Sequence, residues 1–493
     1  MRHLLGDPLE PRAARLRAAL AEIRVPPSLH GPPIDGESER VRARLLAALA
    51  AAHMLDRRLE EGIAFAEDAR GIAARLGDAV TERNAATTLG ACFVFAGRMD
   101  DGWDLMVNAV AGAKEAGDEA AVARAYRMLG SCASVLVEYE RGEVWLREGI
   151  EYAERVERWN DRHYMAAHLA HVLWATGSWT EADAIARRAL ADGRGGITTR
   201  LTALHVLGYL ALGRGMLGEA AAFLGEAYQL AAGMHELQRI SPAIWGLAET
   251  ALADGDARQA ASHVETGLDA SEAVGDAAYL YPYLVTGVRA YLELGDPLRA
   301  HRFLDRAAML IRRRAVPGTL PALDHAEGIL ALAEGSTGQA RTALTAAAEA
   351  WAARQRVWEG TQARIDLGRA RLRSHQRAEA IAVAEAARDA AVALQAPALA
   401  SAAMDLLGRV RRGVQPDPWA PLTAREFEIA RLVAEGRTNA EIGAELGIAR
   451  KTVSAHLDHI STKLGVRRRA EIAAWTALRR VLHSPPHGDD REE

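Results

Sequence analysis

The stretch TNAEIGAELGIARKTVSAHLDHISTKL, residues 438–464, has the pattern of two short helices joined by a tight turn. Thr438 followed by Glu441 is a capping-box pattern, which predicts a helix that begins there and ends at Gly447. A second helix is predicted from Arg450, because apolar residues then recur at the spacing of one buried helical face. These residues are Val453, Leu457, Ile460 and Leu464.

The opposite face of the second helix is small and polar. It carries Lys451, Ser454, Ala455, Asp458 and Thr462. Two helices joined by a glycine-containing turn, with polar residues outward on the second, are typical of a helix-turn-helix that enters the major groove of DNA. A helix with a second capping box at Thr423 and Glu426 precedes the pair, and a fourth helix is predicted from about residue 469 to 481.

Two segments of this region resemble the C-terminal DNA-binding domain of LuxR-type transcription regulators. They are LTAREFEIARLVAEGRTNAEIGAELGI (422–448) and KTVSAHLDHISTKLGVRRRAEI (451–472), in unbroken order. The resemblance implies binding to double-stranded DNA, a homodimer with contacts through the fourth helix, and contact with RNA polymerase when the protein activates transcription.

The resemblance also implies roles for single residues. Positions that contact the DNA backbone or the groove edge correspond to Lys451, Thr452 and His456. Positions that face the bases correspond to Ser454, Ala455 and Asp458. Asp458 departs from the family, which more often has a neutral or basic residue there. It either accepts a hydrogen bond from a cytosine N4 amino group or lies exposed at the groove lip.

Charge agrees with a DNA partner. Residues 415–482 contain eleven Lys and Arg against eight Asp and Glu, whereas the whole chain has a net charge of −5. The cations predicted to neutralise phosphates on the two sides of a groove are Arg450, Lys451, Lys463, Arg467, Arg468 and Arg469. The alternative is that these side chains form only a solvated face.

The rest of the chain is repetitive. A turn residue recurs at 57, 97, 137, 177, 215, 255, 295, 335 and 375, in steps of 40 with one step of 38. Ala or Gly follows each turn at five and at twelve positions and, except for Val288, precedes it at seven. Small residues at fixed points allow helices to pack closely, so the sequence predicts about nine helical pairs over residues 38–412.

The order of leucine and small residues in each unit resembles the tetratricopeptide repeat (TPR), although the period exceeds that family's usual length of about 34 residues. The predicted fold is all-α: a TPR-like α-solenoid followed by a four-helix LuxR-type helix-turn-helix domain. This layout resembles large LuxR-type regulators without their ATPase module, since no Gly-x4-Gly-Lys-Ser/Thr occurs. The predicted segments are an N-terminal helix and linker (1–37), the solenoid (38–412), a linker (413–421), the DNA-binding domain (422–482) and a disordered tail (483–493).

The middle repeats contain aromatic residues, among them Trp174, Trp179, Trp245 and Tyr281. They are candidates for a groove that binds a peptide, protein or small-molecule effector, and the alternative is ordinary packing between helices. His163, His168 and His171 were considered as metal ligands, but no fourth ligand is evident. We therefore expect no metal, no cofactor and no catalytic site.

The N-terminus MRHLLGDPLEPRAARLR lacks the apolar region of a signal peptide, and no apolar run reaches the length of a membrane span. A cytoplasmic location without membrane contact is therefore expected. The sequence predicts a sequence-specific DNA-binding transcription regulator whose solenoid senses an effector or binds a protein. The alternative is a TPR-like interaction scaffold with a vestigial DNA-binding domain, and no residue set supports an enzyme.

Overall fold

The computed structural model describes residues 9–23, 36–234, 236–411 and 422–482. All regular elements within these ranges are helices. The chain divides into two compact units, Met1–Leu406 (unit 1) and Leu407–Glu493 (unit 2). The predicted all-α fold class is confirmed.

Unit 1 begins with α1 (Leu9–Glu22) and continues as nine consecutive helical pairs before the last helix, α20 (Pro397–Arg411). The first helices of the pairs are α2 (Gly36–Leu55), α4 (Ala79–Phe95), α6 (Glu119–Val135), α8 (Trp159–Thr176), α10 (Gly196–Gly213), α12 (Leu237–Ala253), α14 (Tyr281–Glu293), α16 (Pro321–Ala333) and α18 (Val357–Arg373). The second helices are α3 (Leu59–Arg75), α5 (Met99–Glu115), α7 (Tyr139–Arg155), α9 (Trp179–Asp192), α11 (Leu217–Ala232), α13 (Ala257–Val274), α15 (Pro297–Arg314), α17 (Thr337–Ala353) and α19 (Arg377–Ala393).

The turn inside each pair contains a residue with a positive φ. These nine residues are the ones that recur in the sequence, namely Arg57, Gly97, Val137, Gly177, Gly215, Gly255, Gly295, Gly335 and His375. Glycine, which lacks a Cβ, adopts this conformation at little steric cost, and this explains why most of the turns contain it. The spacing of the turns along the sequence therefore sets the spacing of the pairs.

The recurring small residues lie where the two helices of a pair meet. A Cβ added to Gly90 of α4 would lie 2.6 Å from the carbonyl oxygen of Gly102 in α5, and one added to Gly102 would lie 2.5 Å from the carbonyl oxygen of Gly90. The two backbones thus touch directly. Without a side chain at either position the helices approach closely enough to share one core.

Unit 1 winds back on itself. The Arg57 guanidinium, between α2 and α3, lies 3.3 Å from the Asp276 carboxylate before α14. The rings of Trp179 in α9 and Trp358 in α18 have centroids 6.2 Å apart. Helical pairs that are about five pairs apart along the chain are therefore in contact. The inner face of the solenoid encloses space between them.

Between residues 422 and 482, unit 2 has four helices, α21 (Ala424–Ala434), α22 (Asn439–Leu446), α23 (Arg450–Leu464) and α24 (Arg469–Leu482). Both predicted capping boxes are formed, at the start of α21 and at the start of α22. Gly447 ends α22 in the left-handed conformation with a φ of 65°. The core consists of Leu422, Ile429, Leu432, Val433, Ile442, Val453, Ile460 and Ile472.

Within the described residues, no helix has both the length and the apolar character that crossing a membrane requires.

Candidate DNA-binding helix and inner cavity

The second helix of the helix-turn-helix, α23, presents a row of exposed side chains. Lys451, Ala455 and Asp458 lie at helical spacing on this outer face and are all exposed. Val453 and Ile460, which point the other way, are fully buried in the core of unit 2. The core therefore fixes which face of α23 is available to a partner.

Cationic residues lie at both ends of α23. Arg450 is exposed at the first turn, and Arg467 and Arg468 are exposed after the last. The backbone N–H groups of Arg467 and Arg468 donate to Glu471 Oε2 at 2.8 and 2.9 Å. This carboxylate holds the loop before α24 in place while both guanidinium groups remain directed to solvent.

Lys463 has a partner inside unit 2. Its ammonium lies 2.7 Å from Oε2 of Glu426, the capping-box residue of α21. Burial favours the neutral form of Glu426, but hydrogen bonds from Lys463 and from Thr423 outweigh it and hold the pKa below its usual value. The side chain of Lys463, for which the sequence predicts a phosphate contact, joins α23 to α21 and is exposed.

Ser454 also takes part in an internal network. Its Oγ accepts a hydrogen bond from Asn439 Nδ2 at 3.2 Å and donates to the Arg450 carbonyl at 3.3 Å. The side-chain oxygen of Asn439 accepts from Arg469 at 2.7 Å. Ser454 is half-buried, and this network joins α22, α23 and the start of α24.

The remaining predicted residues of α23 flank the exposed row. Thr452 is exposed and His456 is half-buried, where burial lowers the pKa of its imidazole and favours the neutral form. His459 is exposed and was not predicted, although it follows Thr452 and Ala455 at helical spacing. That spacing was the signal by which it could have been found.

The inner face of unit 1 contains a cavity of about 750 Å³, counted with its mouth, which we call the inner cavity. Trp245 and Tyr281, both predicted as groove residues, line it together with Tyr209, whose ring centroid is 5.0 Å from that of Trp245. Trp174 and Trp179 are buried outside the lining, where Trp179 Nε1 donates to the Trp174 carbonyl at 3.0 Å. Two of the four predicted aromatic residues therefore lie in the cavity wall, and the other two pack between helices.

The three histidines that are candidate metal ligands lie in different surroundings. His163 Nε2 lies 2.6 Å from Asp192 Oδ2, and Nδ1 lies 2.6 Å from the Trp159 carbonyl. His168 and His171 instead line the inner cavity. His205 and Arg356 line it as well and were not predicted, because the sequence does not show which distant repeats face one another across the solenoid.

Comparison with known proteins gives a clear match for unit 2. Residues 420–476 match the family described as bacterial regulatory proteins, luxR family. Transcriptional regulatory protein LiaR of Bacillus subtilis is 46% identical over 71 residues, which is 14% of this chain and 34% of LiaR. Oxygen regulatory protein NreC of Staphylococcus aureus is 41% identical over 66 residues, which is 13% of this chain and 30% of NreC. The chain therefore spans only about a third of these relatives.

The solenoid is similar to a solved structure of a Rap protein complexed with competence and sporulation factor. The TM-score is 0.51 at 11% identity, covering 76% of this chain and 99% of the Rap chain. At this identity the likeness concerns the fold alone, and it agrees with the TPR-like arrangement of helical pairs. The chain thus carries a TPR-like solenoid and, at residues 420–476, the DNA-binding domain of the luxR family of bacterial regulatory proteins.

Proposed function

We propose that this protein is a sequence-specific DNA-binding transcription regulator in which unit 1 senses an effector and unit 2 reads DNA. The observation that carries the proposal is the exposed face of α23. Lys451, Ala455 and Asp458 are exposed on this face. The helix lies within residues 420–476, which match the luxR family of bacterial regulatory proteins. An exposed polar face on the second helix of a helix-turn-helix suits the major groove.

We assign phosphate contacts to Arg450, Lys451, Arg467 and Arg468, which lie near the two ends of α23 and are exposed. Ala455 and Asp458, in the middle of the helix, face the bases. Thr452 and His456 contact the groove edge. Because Ser454 and Lys463 already have partners within unit 2, their role in this proposal is to hold α23 at its angle to the other helices.

Two copies of the chain act together in this proposal. A homodimer would place two copies of α23 in successive major grooves about one helical turn apart, and the site would be an inverted repeat. Activation would proceed through contact with RNA polymerase in the cytoplasm. The role of unit 1 as a sensor is supported by its inner cavity and by the similarity of its fold to a Rap protein that was solved with a bound factor.

The salt dependence of DNA binding separates this proposal from a scaffold with a vestigial domain. Full-length protein is titrated with fluorescent duplexes of mixed genomic sequence, by anisotropy, at several salt concentrations. A regulator with several phosphate contacts loses about 10³-fold or more in affinity between 50 and 200 mM salt. A protein that binds no duplex at the lowest salt, or whose affinity does not change with salt, is the scaffold.

A further inference from the structure

A second cavity of about 840 Å³ adjoins the inner cavity, and we call the two together the joined cavities. The two share lining residues from α6, α8 and α12 and from the segment before α14, including Val135, His168 and Tyr279. We call the second one the arginine cavity, because its walls include Arg12, Arg57, Arg124 and Arg127.

The walls of the two cavities contain six arginines. Arg239 and Arg356 line the inner cavity in addition to the four residues of the arginine cavity, and among the described residues neither lining includes an Asp or Glu side chain. Four of the six have a carboxylate partner outside the linings, namely Arg57, Arg127, Arg239 and Arg356. An anion inside the joined cavities would therefore meet guanidinium groups and no carboxylate.

The hydrogen-bond partners of Arg124 are neutral groups. It donates to the Asn84 carbonyl at 3.2 Å and to Thr88 Oγ1 at 2.7 Å, both neutral acceptors. Within the described part of the chain, no carboxylate forms an ion pair with Arg124 or with Arg12. Burial lowers the pKa of Arg124 to about 10, so the side chain remains cationic at neutral pH. Arg124 is half-buried and has no carboxylate partner, so an anion bound beside it would form a charge-assisted hydrogen bond.

Two buried histidines carry nitrogen atoms without a partner. Among the residues that the structure describes, Nε2 of His168 and Nε2 of His205 have no hydrogen-bond partner. Both side chains are more than nine-tenths buried and line the inner cavity. His168 Nδ1 lies 2.7 Å from Ser134 Oγ, which is also 3.1 Å from the Ser131 carbonyl oxygen. Nε2 of His168 is therefore open to a hydrogen-bonding group of a ligand.

The inner cavity also has an aromatic wall, formed by Tyr209, Trp245 and Tyr281. Tyr209 and Trp245 meet edge to face, and both rings line the cavity. The two adjoining cavities therefore offer arginine, hydrogen-bonding and aromatic side chains.

We propose that the joined cavities bind a small aromatic organic anion that carries a hydrogen-bonding group. The anionic group would contact Arg124 and its neighbours, the hydrogen-bonding group would reach His168 Nε2, and the rings would pack against Tyr209 and Trp245. This inference rests on the proposed sensing role of unit 1 and gives the effector a chemical class.

The test uses 1-anilinonaphthalene-8-sulfonate, which has aromatic rings, one N–H donor and one negative charge. N-phenyl-1-naphthylamine has the same rings and N–H without the charge. Both are titrated by fluorescence into full-length protein without DNA. We expect saturable binding of one sulfonate per chain, at least tenfold tighter than binding of the neutral analogue. Equal affinities for the two probes, or no saturable binding of the sulfonate, would overturn the proposal.

Variants locate the bound probe. Arg124→Gln is expected to weaken sulfonate binding at least fivefold and to leave the neutral analogue unaffected. The control is Arg200→Gln, which removes an exposed arginine paired with Glu226 outside both linings. If circular dichroism shows that Arg124→Gln is unfolded, Arg12→Gln takes its place with the same expectation. Equal effects of the cavity and control variants would contradict the site.

DNA binding is measured on the same protein samples. Loss of probe binding with intact DNA binding would reject the ligand class while leaving the regulator in place. Failure of DNA binding with intact probe binding would reject the proposed regulator and leave the anion site standing.

Discussion

The guanidinium of Arg356 donates a hydrogen bond of 2.6 Å to the phenol oxygen of Tyr139, although 217 residues separate the two along the chain. Arg356 also donates to both carboxylate oxygens of Glu359, at 2.7 Å each, and lies 4.6 Å from the centre of the Trp174 ring. All of these side chains are buried. The cluster thus joins the ninth helical pair to the third and fourth and closes one side of the inner cavity.

Removing only the negative charge of this cluster is expected to destabilise unit 1. Glu359→Gln leaves the buried Arg356 without its carboxylate, which costs about 3–5 kcal/mol of unfolding free energy. The double variant Arg356→Met, Glu359→Leu removes both charges and is expected to cost less. Urea unfolding followed by circular dichroism measures both, and a Glu359→Gln cost below about 1 kcal/mol would contradict a buried pair at this position.

The recurring small residues are expected to be sensitive to a single methyl group. Gly90→Ala forces a Cβ to within 2.6 Å of the Gly102 carbonyl oxygen, so overpacking is expected to lower the unfolding free energy by about 1–3 kcal/mol. Gly71, in the exposed part of α3, has no atom within 4 Å of an added Cβ. Gly71→Ala is therefore the matched control and is expected to stabilise by up to about 1 kcal/mol. The melting temperatures of the two variants are compared by thermal unfolding. Equal shifts in melting temperature would contradict close packing of the helices at Gly90.

Opposite substitutions at two equivalent turn positions are expected to change stability in opposite directions. His375 has a φ of 60° and is exposed, so His375→Gly is expected to relieve backbone strain and stabilise by about 1 kcal/mol. Gly335 occupies the same place one pair earlier with a φ of 83°, so Gly335→Ala is expected to destabilise by about 1–2 kcal/mol. The shift in melting temperature gives the sign of each effect. Two shifts of the same sign would show that the turn conformation does not determine stability.

Stability is expected to fall in mild acid because of His168 and His205. Burial, assisted by the nearby Arg239, lowers the pKa of each imidazole to about 3. Unfolded histidine has a pKa of about 6.5, so between about pH 6.5 and 3 the unfolded chain binds protons that the folded chain does not. Each histidine then removes about 1.4 kcal/mol per pH unit as the pH falls through this window.

The double variant His168→Gln, His205→Gln isolates this contribution from that of the carboxylates. Its unfolding free energy, measured by urea denaturation from pH 7.5 to 5.5, is expected to depend less on pH than that of the natural protein. Parallel curves for the two proteins would mean that neither imidazole is buried in its neutral form.

Two substitutions on the exposed face of α23 are expected to change DNA binding in different ways. Lys451→Ala is expected to weaken binding to every duplex and to reduce the slope of log affinity against log salt by about 1 per chain, or about 2 for the proposed homodimer. Asp458→Ala is expected to change the preference at one base pair by about 1–3 kcal/mol if the carboxylate accepts from cytosine. Competition between duplexes that differ at single positions measures both. An equal effect of Asp458→Ala on all sequences would exclude base reading by Asp458.

The local features of this chain could be predicted from its sequence because their causes are local. Thr438 and Glu441 form a cap within one turn of helix, and the turn at Gly97 recurs at a fixed step with a positive φ. Packing within pairs follows in the same way, since Gly90 and Gly102 stand on neighbouring helices.

Contacts between distant turns of the solenoid could not be predicted. Which pairs face each other depends on a small rotation between successive pairs that accumulates over about five of them, and no single residue encodes it. The contacts of Arg356 with Tyr139 and of Arg57 with Asp276 arise in this way. The pairing of Lys463 with Glu426 was missed for a related reason, since a lysine near a DNA-binding helix has the same sequence pattern whether it contacts phosphate or a neighbouring helix.

The most direct test of the proposed regulator is the capture of fragmented genomic DNA by purified full-length protein, followed by sequencing. Lys451→Ala serves as the comparison, and Arg431→Ala, which removes an arginine paired with Glu435 on α21, serves as the control. We predict enrichment of a shared inverted repeat by the natural protein and by Arg431→Ala, with much weaker enrichment by Lys451→Ala. No shared sequence among the captured fragments, or equal enrichment by all three proteins, would contradict sequence-specific reading of DNA by α23.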